Sequence, residues 1–232
     1  MRVIGLGSGR RGKVTESLVR MVLESTGMDH DFISLSGKLV RPCEACNGCV
    51  DTNTCVLPDD FSAIAERVQG ADGLVFGAPT YWARMNAKGS AFWERLCFSG
   101  RHSELFPMKG MPAAMVAIDG SDGTGEHVLA DTKRYFADAR LDVVGHVSAQ
   151  GEYACFTCGL GEECSVGGFH TLYGEGISIA PERIPSMDNQ CPHLGDGEGA
   201  IRGRVLRDAA RRLGERLARR IQSRPRRSPD AP

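Results

Sequence analysis

The sequence predicts an α/β fold with a doubly wound, five-stranded parallel sheet in the strand order 2-1-3-4-5. Short apolar runs rich in Val and Ile alternate along the chain with helical apolar patterns, as a parallel sheet with crossover helices requires. A Gly-rich loop follows the first apolar run and precedes the first helical pattern. Ligands of such sheets bind beyond the carboxyl ends of the strands, so this loop lies where a ligand is expected.

Strands and helices alternate in the following predicted order. The predicted strands are Val3–Leu6, Asp31–Leu35, Gly73–Gly77, Ala113–Ile118 and Val143–Val147. The predicted helices are Val14–Ser25, Phe61–Gln69, Ala87–Phe98, Glu126–Ala139 and, near the end of the chain, about Ala200–Ile221. The last helix has one apolar stripe opposite a solvated, charged face. The stripe consists of Leu206, Ala210, Leu213, Leu217 and Ile221.

The 232 residues fit a single domain over residues 1–222, interrupted by two Cys-rich insertions. The first is the Cys-rich loop 41–58, and the second spans about 150–198, which is too long for an ordinary connection. Residues 223–232 (SRPRRSPDAP) are predicted to be a disordered tail.

Charge and hydropathy exclude some classes of partner. The net charge of -1 and the pI near 6.6 give no reason to expect a nucleic-acid partner. No apolar run approaches the about 18 residues of a membrane span, and the chain starts without a charged-then-apolar leader. A cytoplasmic protein without a membrane partner is therefore expected.

The opening loop, residues 7–13 (GSGRRGK), fits parts of two nucleotide-binding motifs. Its glycines match the dinucleotide fingerprint G-x-G-x-x-G, but the second strand has no acid near its end to bind ribose hydroxyls. The loop also resembles a P-loop, but Val14 follows Lys13 where a magnesium-binding Ser or Thr is required. Both motifs fail at their second requirement.

A monophosphate site is the remaining interpretation of the opening loop. A strand, a loop of small residues and a helix together present backbone N–H groups and the positive end of a helix dipole to an anion. Ser8 and Thr15 offer hydroxyl donors, and Arg10 and Lys13 offer positive charge. The alternative is an ordinary tight turn between strand and helix, which the glycines would also form.

Two further loops follow the third and fourth strands at the same edge of the sheet. The first, APTYWARMN, offers a proline of fixed φ, backbone N–H groups and flat side chains to a flavin ring. Its candidate residues are Pro79, Thr80, Tyr81, Trp82 and Met85, together with Asn86. The alternative is that Tyr81, Trp82 and Phe92 cap the core. The second loop contributes Asp119 and Gly120, which begin a Gly-rich stretch.

Eight of the nine cysteines fall into two quartets, and clustered thiols in a reducing compartment more often bind metal than form disulfides. The first quartet is Cys43, Cys46, Cys49 and Cys55, and the second is Cys155, Cys158, Cys164 and Cys191. Three thiolates spaced by two residues suit a cuboidal [4Fe-4S] cluster, whereas structural zinc more often uses two separated C-x-x-C pairs. Cys97 stands apart and is predicted to be a small apolar residue on a buried helix face.

The chain resembles the NADPH-dependent FMN reductase branch of the flavodoxin-like superfamily. Gly7, Ser8, Arg10 and Thr15 match the pattern G-S-x-R-x-x-x-x-T, the APTYW and DG loops fall in matching places, and Lys13 stands where many members have Gly. Within that branch, CEACNGCVDTNTC followed by PDDF is similar to the iron–sulfur flavoprotein family. The resemblance implies FMN at the three loops and a [4Fe-4S] cluster at the first quartet. The second quartet is expected to bind a second iron–sulfur cluster or zinc.

The resemblance also implies an oxidoreductase that needs no catalytic acid, base or nucleophile. Electrons are expected to pass between a ferredoxin-like carrier or NAD(P)H and a small-molecule acceptor, within a homodimer or homotetramer. One alternative is an NAD(P)H-dependent FMN or quinone reductase whose cysteines bind structural zinc or no metal. Another is a non-catalytic metal-binding or redox-sensing module.

Overall fold

The computed structural model describes residues 1–120, 124–152, 154–156, 158, 160, 163–164, 184–190 and 197–224. Its strands are β1 (Arg2–Gly7), β2 (Asp29–Ser34), β3 (Gly73–Tyr81), β4 (Arg84–Met85), β5 (Pro112–Asp119) and β6 (Asp142–Gln150). The five long strands are parallel in the order β2-β1-β3-β5-β6, and β4 pairs antiparallel with the end of β3. The predicted α/β class and the order of the five parallel strands are confirmed.

The short strand β4 is a strand that the sequence does not predict. It has two residues, which are too few to show the alternation of a strand. The turn that connects it to β3 consists of Trp82 and Ala83, with φ of 52° and 55°. A two-residue turn with two positive φ angles normally carries Asn and Gly, so its usual sequence signal is absent here.

The described part of the chain contains five α-helices: α1 (Val14–Glu24), α2 (Phe61–Gln69), α3 (Ala87–Gly100), α4 (Gly125–Asp138) and α5 (Glu198–Gln222). Helices α1 and α5 pack on one face of the sheet, and α2, α3 and α4 pack on the other. Alternate strand residues serve the two faces: Val75 packs with α1 and α5, while Leu74 and Phe76 pack with the other three helices. The predicted apolar stripe of the last helix is buried, from Leu206 to Ile221.

The opening loop after β1 and the loops after β3 and β5 all lie at the same edge of the sheet. The parallel register places Gly7 of β1 beside Gly77 of β3, and Pro79 of β3 beside Ile118 of β5. Gly77 permits the close approach of α1, because a Cβ atom there would lie 2.4 Å from Cγ2 of Val19. The opening loop and the start of α1 are thereby held against the carboxyl ends of the central strands.

Two predicted segments lie largely or wholly outside the described residues. They are the second Cys-rich insertion, of which the structure describes short pieces, and residues 225–232 of the tail. Among the described residues, no helix is both long enough and apolar enough to cross a membrane.

Candidate functional site

The opening loop is fixed to the start of α3 by two side-chain hydrogen bonds. Ser8 is 4% exposed, and its backbone N–H donates to the carbonyl of Gly77 at 2.9 Å. The Ser8 hydroxyl donates to Oδ1 of Asn86 at 2.7 Å, and Nδ2 of Asn86 donates to the Ser8 carbonyl at 2.8 Å. Asn86 is itself buried, directly before the first residue of α3. The two reciprocal hydrogen bonds therefore hold the opening loop against the start of α3.

The middle of the opening loop lies tightly against the first turn of α1. Thr15 is buried, and a Cβ atom at Gly9 would lie 2.6 Å from its hydroxyl oxygen. Gly12 has a φ of 66°, which favours glycine, and its N–H donates to the Glu16 carboxylate at 3.0 Å. The structure thus places Thr15 against the opening loop, and the binding of phosphate by Ser8 and Thr15 stays a prediction.

The two predicted cations of the opening loop meet at one carboxylate. Nζ of Lys13 lies 2.7 Å and Nη2 of Arg10 lies 3.4 Å from Oε1 of Glu152. Arg10 also donates to the backbone carbonyl of Glu152 at 2.9 Å. The Glu152 side chain is only 9% exposed, although both cations are about one-third exposed. No local pattern in the sequence indicates Glu152, because it lies 142 residues from Arg10.

A cavity of about 500 Å³, here called the loop cavity, opens directly beside the opening loop. This volume is within the usual range of cofactor sites. Its walls come from the opening loop, the segment after β2, the end of β3 and the start of α3. The lining residues are Ser8, Gly9, Arg10, Ser36, Val40, Pro42, Tyr81, Asn86, Ala87, Lys88 and Ala91.

The hairpin formed by β3 and β4 lies beside the loop cavity and presents two aromatic side chains. Tyr81 lines the cavity and is 49% exposed, and Trp82 at the tip is 99% exposed. The alternative that the aromatic residues cap the core is correct for Phe92, which is fully buried, and wrong for Tyr81 and Trp82. The Tyr81 ring at the cavity wall is available for stacking on a flat ligand, and Trp82 is the exposed residue that follows it in the chain.

The remaining predicted residues of this loop hold the hairpin in place. Pro79 is buried in β3, and its carbonyl accepts the N–H of Asn86 at 3.2 Å. The Thr80 hydroxyl donates to the Thr124 carbonyl at 3.4 Å. Met85 is buried in the core, and its N–H donates to Asp131 at 3.2 Å. Pro79, Thr80 and Met85 thus hold the hairpin in place, and none of these three residues lines the loop cavity.

The loop after β5 is positioned by the start of α4. Oδ2 of Asp119 accepts the N–H of Gly125 at 3.1 Å, and Gly120 is half-buried. Asp119 lines a different cavity, of about 550 Å³, between β6 and α5. Residues 121–123 lie outside the described residues. The structure therefore leaves Asp119 and Gly120 out of the lining of the loop cavity.

The first cysteine quartet is brought together around a second, small cavity. Cys43, Cys46, Cys49 and Cys55 all line this space of about 20 Å³, here called the cysteine cavity. Positive φ angles at Ala45 and Asn47, 51° and 59°, turn the chain between the cysteines. The four thiols differ in exposure: Cys49 is buried and Cys46 is exposed.

The pKa of Cys49 reflects both its burial and its neighbours in the quartet. Burial raises the pKa of Cys49, and the charges of Cys55, Cys43 and Cys46 raise it further. The Cys49 sulfur also lies 3.4 Å from Nε2 of His102, a neighbour that the sequence analysis missed. A bound metal ion would favour the thiolate and oppose these shifts.

A buried ion pair closes the base of the Cys-rich loop. Nη1 of Arg95 on α3 lies 2.5 Å from Oδ2 of Asp59, and both side chains are fully buried. Asp59 also accepts the backbone N–H groups of Arg41 and Phe61 at 2.9 and 3.0 Å. Burial opposes ionisation of Asp59, but its hydrogen bonds to Arg95 and to the backbone outweigh burial and lower its pKa. The pair thus joins both ends of the Cys-rich loop to α3.

The structure describes three members of the second quartet. Cys155 lies in a short 3-10 helix, and the thiol of Cys158 donates to the Cys155 carbonyl at 3.4 Å. Cys164 is half-buried, and Cys191 lies outside the described residues. Among the residues that the structure does describe, no three His, Cys, Asp or Glu side chains are arranged to hold a single metal ion. A metal site at the second quartet stays a prediction.

Cys97 has the packing role that its surroundings in the sequence indicate. It is half-buried against the core on α3, and its thiol donates to the Tyr135 carbonyl at 3.4 Å. Burial raises the pKa of its thiol to about 12, so it remains protonated at neutral pH.

Comparisons with known proteins agree with this geometry. The family model of NADPH-dependent FMN reductases matches residues 1–153, which is more than half of the chain. An iron-sulfur flavoprotein of Methanosarcina thermophila is 32% identical over 130 residues, or 54% of this chain and 67% of the relative. An iron-sulfur flavoprotein of Methanocaldococcus jannaschii is 30% identical over 151 residues, or 62% of this chain and 76% of the relative.

Solved structures agree on the fold. RosB has a TM-score of 0.59 at 15% identity, covering 97% of this chain and 82% of its own. A flavodoxin from the domain Archaea has a TM-score of 0.51 at 12% identity, covering 96% of this chain and 99% of its own. The chain therefore belongs to the NADPH-dependent FMN reductase family, among its iron–sulfur flavoproteins, and is a flavin-dependent oxidoreductase with a flavodoxin-like fold.

Proposed function

We propose that this protein binds FMN in the loop cavity and a [4Fe-4S] cluster at the first cysteine quartet. It would transfer electrons between a ferredoxin-like carrier or NAD(P)H and a small-molecule acceptor. The observation that carries the proposal is that one helix and one loop line both cavities. Ala91 of α3 lines the loop cavity and Arg95, one turn later, lines the cysteine cavity. In the Cys-rich loop, Pro42 lines the loop cavity and the next residue, Cys43, lines the cysteine cavity.

The phosphate of FMN fits the cation pair of the opening loop. Arg10 and Lys13 already converge on one anionic group, the carboxylate of Glu152. A phosphate dianion at that place would gain charge-assisted hydrogen bonds from both side chains, while α1 begins at the next residue with its free N–H groups. Glu152 has to move aside for it, because like charges at this distance repel each other.

The ring system of FMN fits the aromatic and apolar part of the lining of the loop cavity. Tyr81 supplies a flat, exposed face, Val40, Pro42 and Ala91 supply apolar walls, and the exposed indole of Trp82 follows Tyr81 in the hairpin turn. The walls would shield one side of the ring from water, and the exposed rim would leave access for a redox partner. These residues bind and orient the cofactor, so no acid, base or nucleophile is required of them.

The cluster fits the donor set of the cysteine cavity. All four donors are thiols, the ligand that iron–sulfur clusters use, and they surround one space. In a cuboidal cluster each thiolate binds a different iron, so the four sulfurs do not have to converge on one ion. The buried guanidinium of Arg95 adds a positive charge beside a group that carries net negative charge.

Direct electron transfer between the two sites is part of the proposal, because one turn of α3 separates a wall residue of one cavity from a wall residue of the other. Four residues of α-helix advance about 6 Å, which is the spacing along α3 between the walls of the two cavities. When bound, FMN would exchange electrons singly or in pairs, and the cluster would exchange them singly. The role of α3 is to hold both groups at a fixed separation. A homodimer or homotetramer, and a metal at the second quartet, remain part of the proposal.

The test is an ultraviolet–visible spectrum of anaerobically purified protein, combined with iron, zinc and acid-labile sulfide analysis. Flavin bands over a broad absorption that dithionite bleaches, with about four irons and four sulfides per chain, are expected for one cluster. About eight of each would place a second cluster at the second quartet. Flavin with zinc and no iron would overturn the electron-transfer proposal and leave a reductase with structural zinc.

The donor is identified by anaerobic titration of the same sample. Stoichiometric flavin reduction by NADPH identifies a nicotinamide donor, and reduction by a reduced ferredoxin without reaction with NADPH identifies a one-electron carrier. Failure of both donors to reduce the bound flavin would contradict the proposed partners.

A further inference from the structure

We infer that Arg95 is a positioning residue that donates a hydrogen bond from Nη2 to the iron–sulfur cluster and raises its reduction potential. The inference rests on the proposed function, since it requires a cluster at the first quartet. It concerns a side chain on α3 that lies outside the cysteine motif and is not a metal ligand.

Arg95 belongs to the cysteine cavity by direct contact. Its Nε–H donates to the sulfur of Cys55 at 3.3 Å, and Nη1 donates to the Arg41 carbonyl at 3.2 Å as well as to Asp59. The guanidinium carbon lies 4.1 Å from the centre of the Phe61 ring. The side chain is fully buried and lines the same cavity as all four cysteines. It therefore fixes Cys55 and both ends of the Cys-rich loop to α3.

One donor of this guanidinium is unused. Nη2 is buried and has no hydrogen-bond partner among the described residues. A buried N–H of a charged group without an acceptor is costly, and native proteins satisfy nearly all such groups. The sulfides and thiolates of a cluster are acceptors, and the cysteine cavity is the space that this side chain shares with the quartet. The bound cluster would thus supply the missing acceptor.

The charge of Arg95 determines the direction of its effect. An arginine guanidinium keeps its positive charge at ordinary pH, and Arg95 is paired with the buried carboxylate of Asp59. Reduction of a cluster adds one negative charge. A cationic donor stabilises the more negative state more strongly, and hydrogen bonds to cluster sulfurs act in the same direction. Arg95 therefore favours the reduced cluster and raises the potential.

The experiment compares three variants of the full-length, cluster-loaded protein by potentiometric titration. The double variant Arg95→Gln with Asp59→Asn removes both members of the ion pair and avoids leaving a lone buried charge. Arg95→Lys keeps the charge and loses the planar fork. The matched control is Arg41→Gln, which removes a cation from the Cys-rich loop whose side chain pairs with Glu44 and whose backbone carbonyl still accepts from Arg95.

The double variant also removes the negative charge of Asp59, but Asp59 does not line the cysteine cavity, so the loss of Arg95 dominates. The reduced cluster is expected to be disfavoured by about tenfold, which for one electron is about 59 mV toward more negative potential. Arg95→Lys is expected to shift the potential in the same direction by a smaller amount, and Arg41→Gln is expected to leave it near the wild-type value. A double variant that keeps its iron at the wild-type potential would overturn the inference. An equal shift in the control would also overturn it, since a general charge effect would then suffice.

A second measurement does not depend on the folding of a variant. Wild-type protein with isotope-labelled arginine is examined by pulsed electron paramagnetic resonance in the reduced state. Coupling between a guanidinium nitrogen and the cluster is expected, and its absence would overturn the inference. Wild-type protein that binds flavin but no iron would instead refute the proposed function, so the two failures are distinguishable.

Discussion

The hydrogen bonds between Ser8 and Asn86 permit a quantitative prediction about the opening loop. Each net hydrogen bond contributes about 1 kcal/mol, and a buried acceptor left unpaired costs about 1–3 kcal/mol. Asn86→Ala removes two bonds, of 2.7 and 2.8 Å, and leaves the Ser8 carbonyl without this partner. We expect a loss of about 3 kcal/mol in the free energy of unfolding. Ser8→Ala removes one of the two bonds, and we expect a loss of about 1–2 kcal/mol.

The shared hydrogen bond should make the two substitutions non-additive. Because Asn86→Ala already breaks the bond to the Ser8 hydroxyl, the double variant should be about 1 kcal/mol more stable than the sum of the single losses predicts. Urea unfolding followed by circular dichroism measures the free energies of unfolding. The control is Ser36→Ala, which also changes a serine of the loop cavity and should combine additively with Asn86→Ala.

The same variants test how the loop supports flavin binding. Asn86→Ala is expected to weaken FMN binding by about tenfold or more, measured by quenching of flavin fluorescence, since about 1.4 kcal/mol of lost preorganisation corresponds to a factor of ten. Ser36→Ala is expected to keep FMN affinity within a few-fold of the wild type. Additivity of Ser8→Ala and Asn86→Ala within about 0.5 kcal/mol would refute the reasoning, because the two side chains would then be independent.

Three further predictions concern the hairpin, the displaced carboxylate and the start of α1. Changing Trp82 and Ala83 to Asn and Gly should stabilise the fold by about 1–2 kcal/mol, because both residues have positive φ, and should weaken FMN binding through loss of the exposed indole. Glu152→Gln should tighten FMN binding several-fold, because a negative charge no longer competes for the cations of the opening loop. Glu16→Gln should cost about 1 kcal/mol at neutral pH, because the hydrogen bond from Gly12 lowers the pKa of this carboxyl.

The sign of the pH effect follows from the lowered pKa of Glu16. The folded protein binds this proton less readily than the unfolded chain, so the stabilisation is complete above the ordinary Glu pKa of about 4.3. It is lost as the pH falls through the lower folded value. The stability difference between wild type and Glu16→Gln should therefore shrink in acid. A difference that is constant from pH about 7 to about 3 would show that the carboxylate charge plays no part.

Control experiments separate effects on FMN binding from effects on folding for the hairpin variant and for Glu152→Gln. For the hairpin, Ala83→Gly alone should stabilise the fold and keep FMN affinity, since it leaves Trp82 in place. Weaker FMN binding by this single variant would assign the effect to the turn instead of the indole. For Glu152→Gln, inorganic phosphate should show the same gain in affinity as FMN, and unchanged affinity for both would contradict the competition between carboxylate and phosphate.

Local patterns in the sequence were sufficient for the fold class, the five parallel strands and the grouping of the first four cysteines. Strand and helix periods are properties of about ten consecutive residues, and the opening loop and the C-x2-C-x2-C spacing are equally local. The short strand β4 escaped because Trp82 and Ala83 occupy a turn that usually carries Asn and Gly. The outlines of the candidate site could be predicted for the same reason, since parallel strands bring their carboxyl ends to one edge.

Only the tertiary structure decided which side chains complete each site. Asn86 meets Ser8 across 78 residues of chain, and Glu152 meets Arg10 across 142. Arg95 sits in an ordinary helical pattern, and nothing in its neighbours indicates a buried pair with Asp59 or a bond to Cys55. Such contacts depend on how the elements pack and not on any local period. The sequence by itself therefore determined the scaffold and the positions of the candidate ligand-binding residues, and the fold decided which side chains contact them, because burial and charge pairing arise between segments that are distant along the chain.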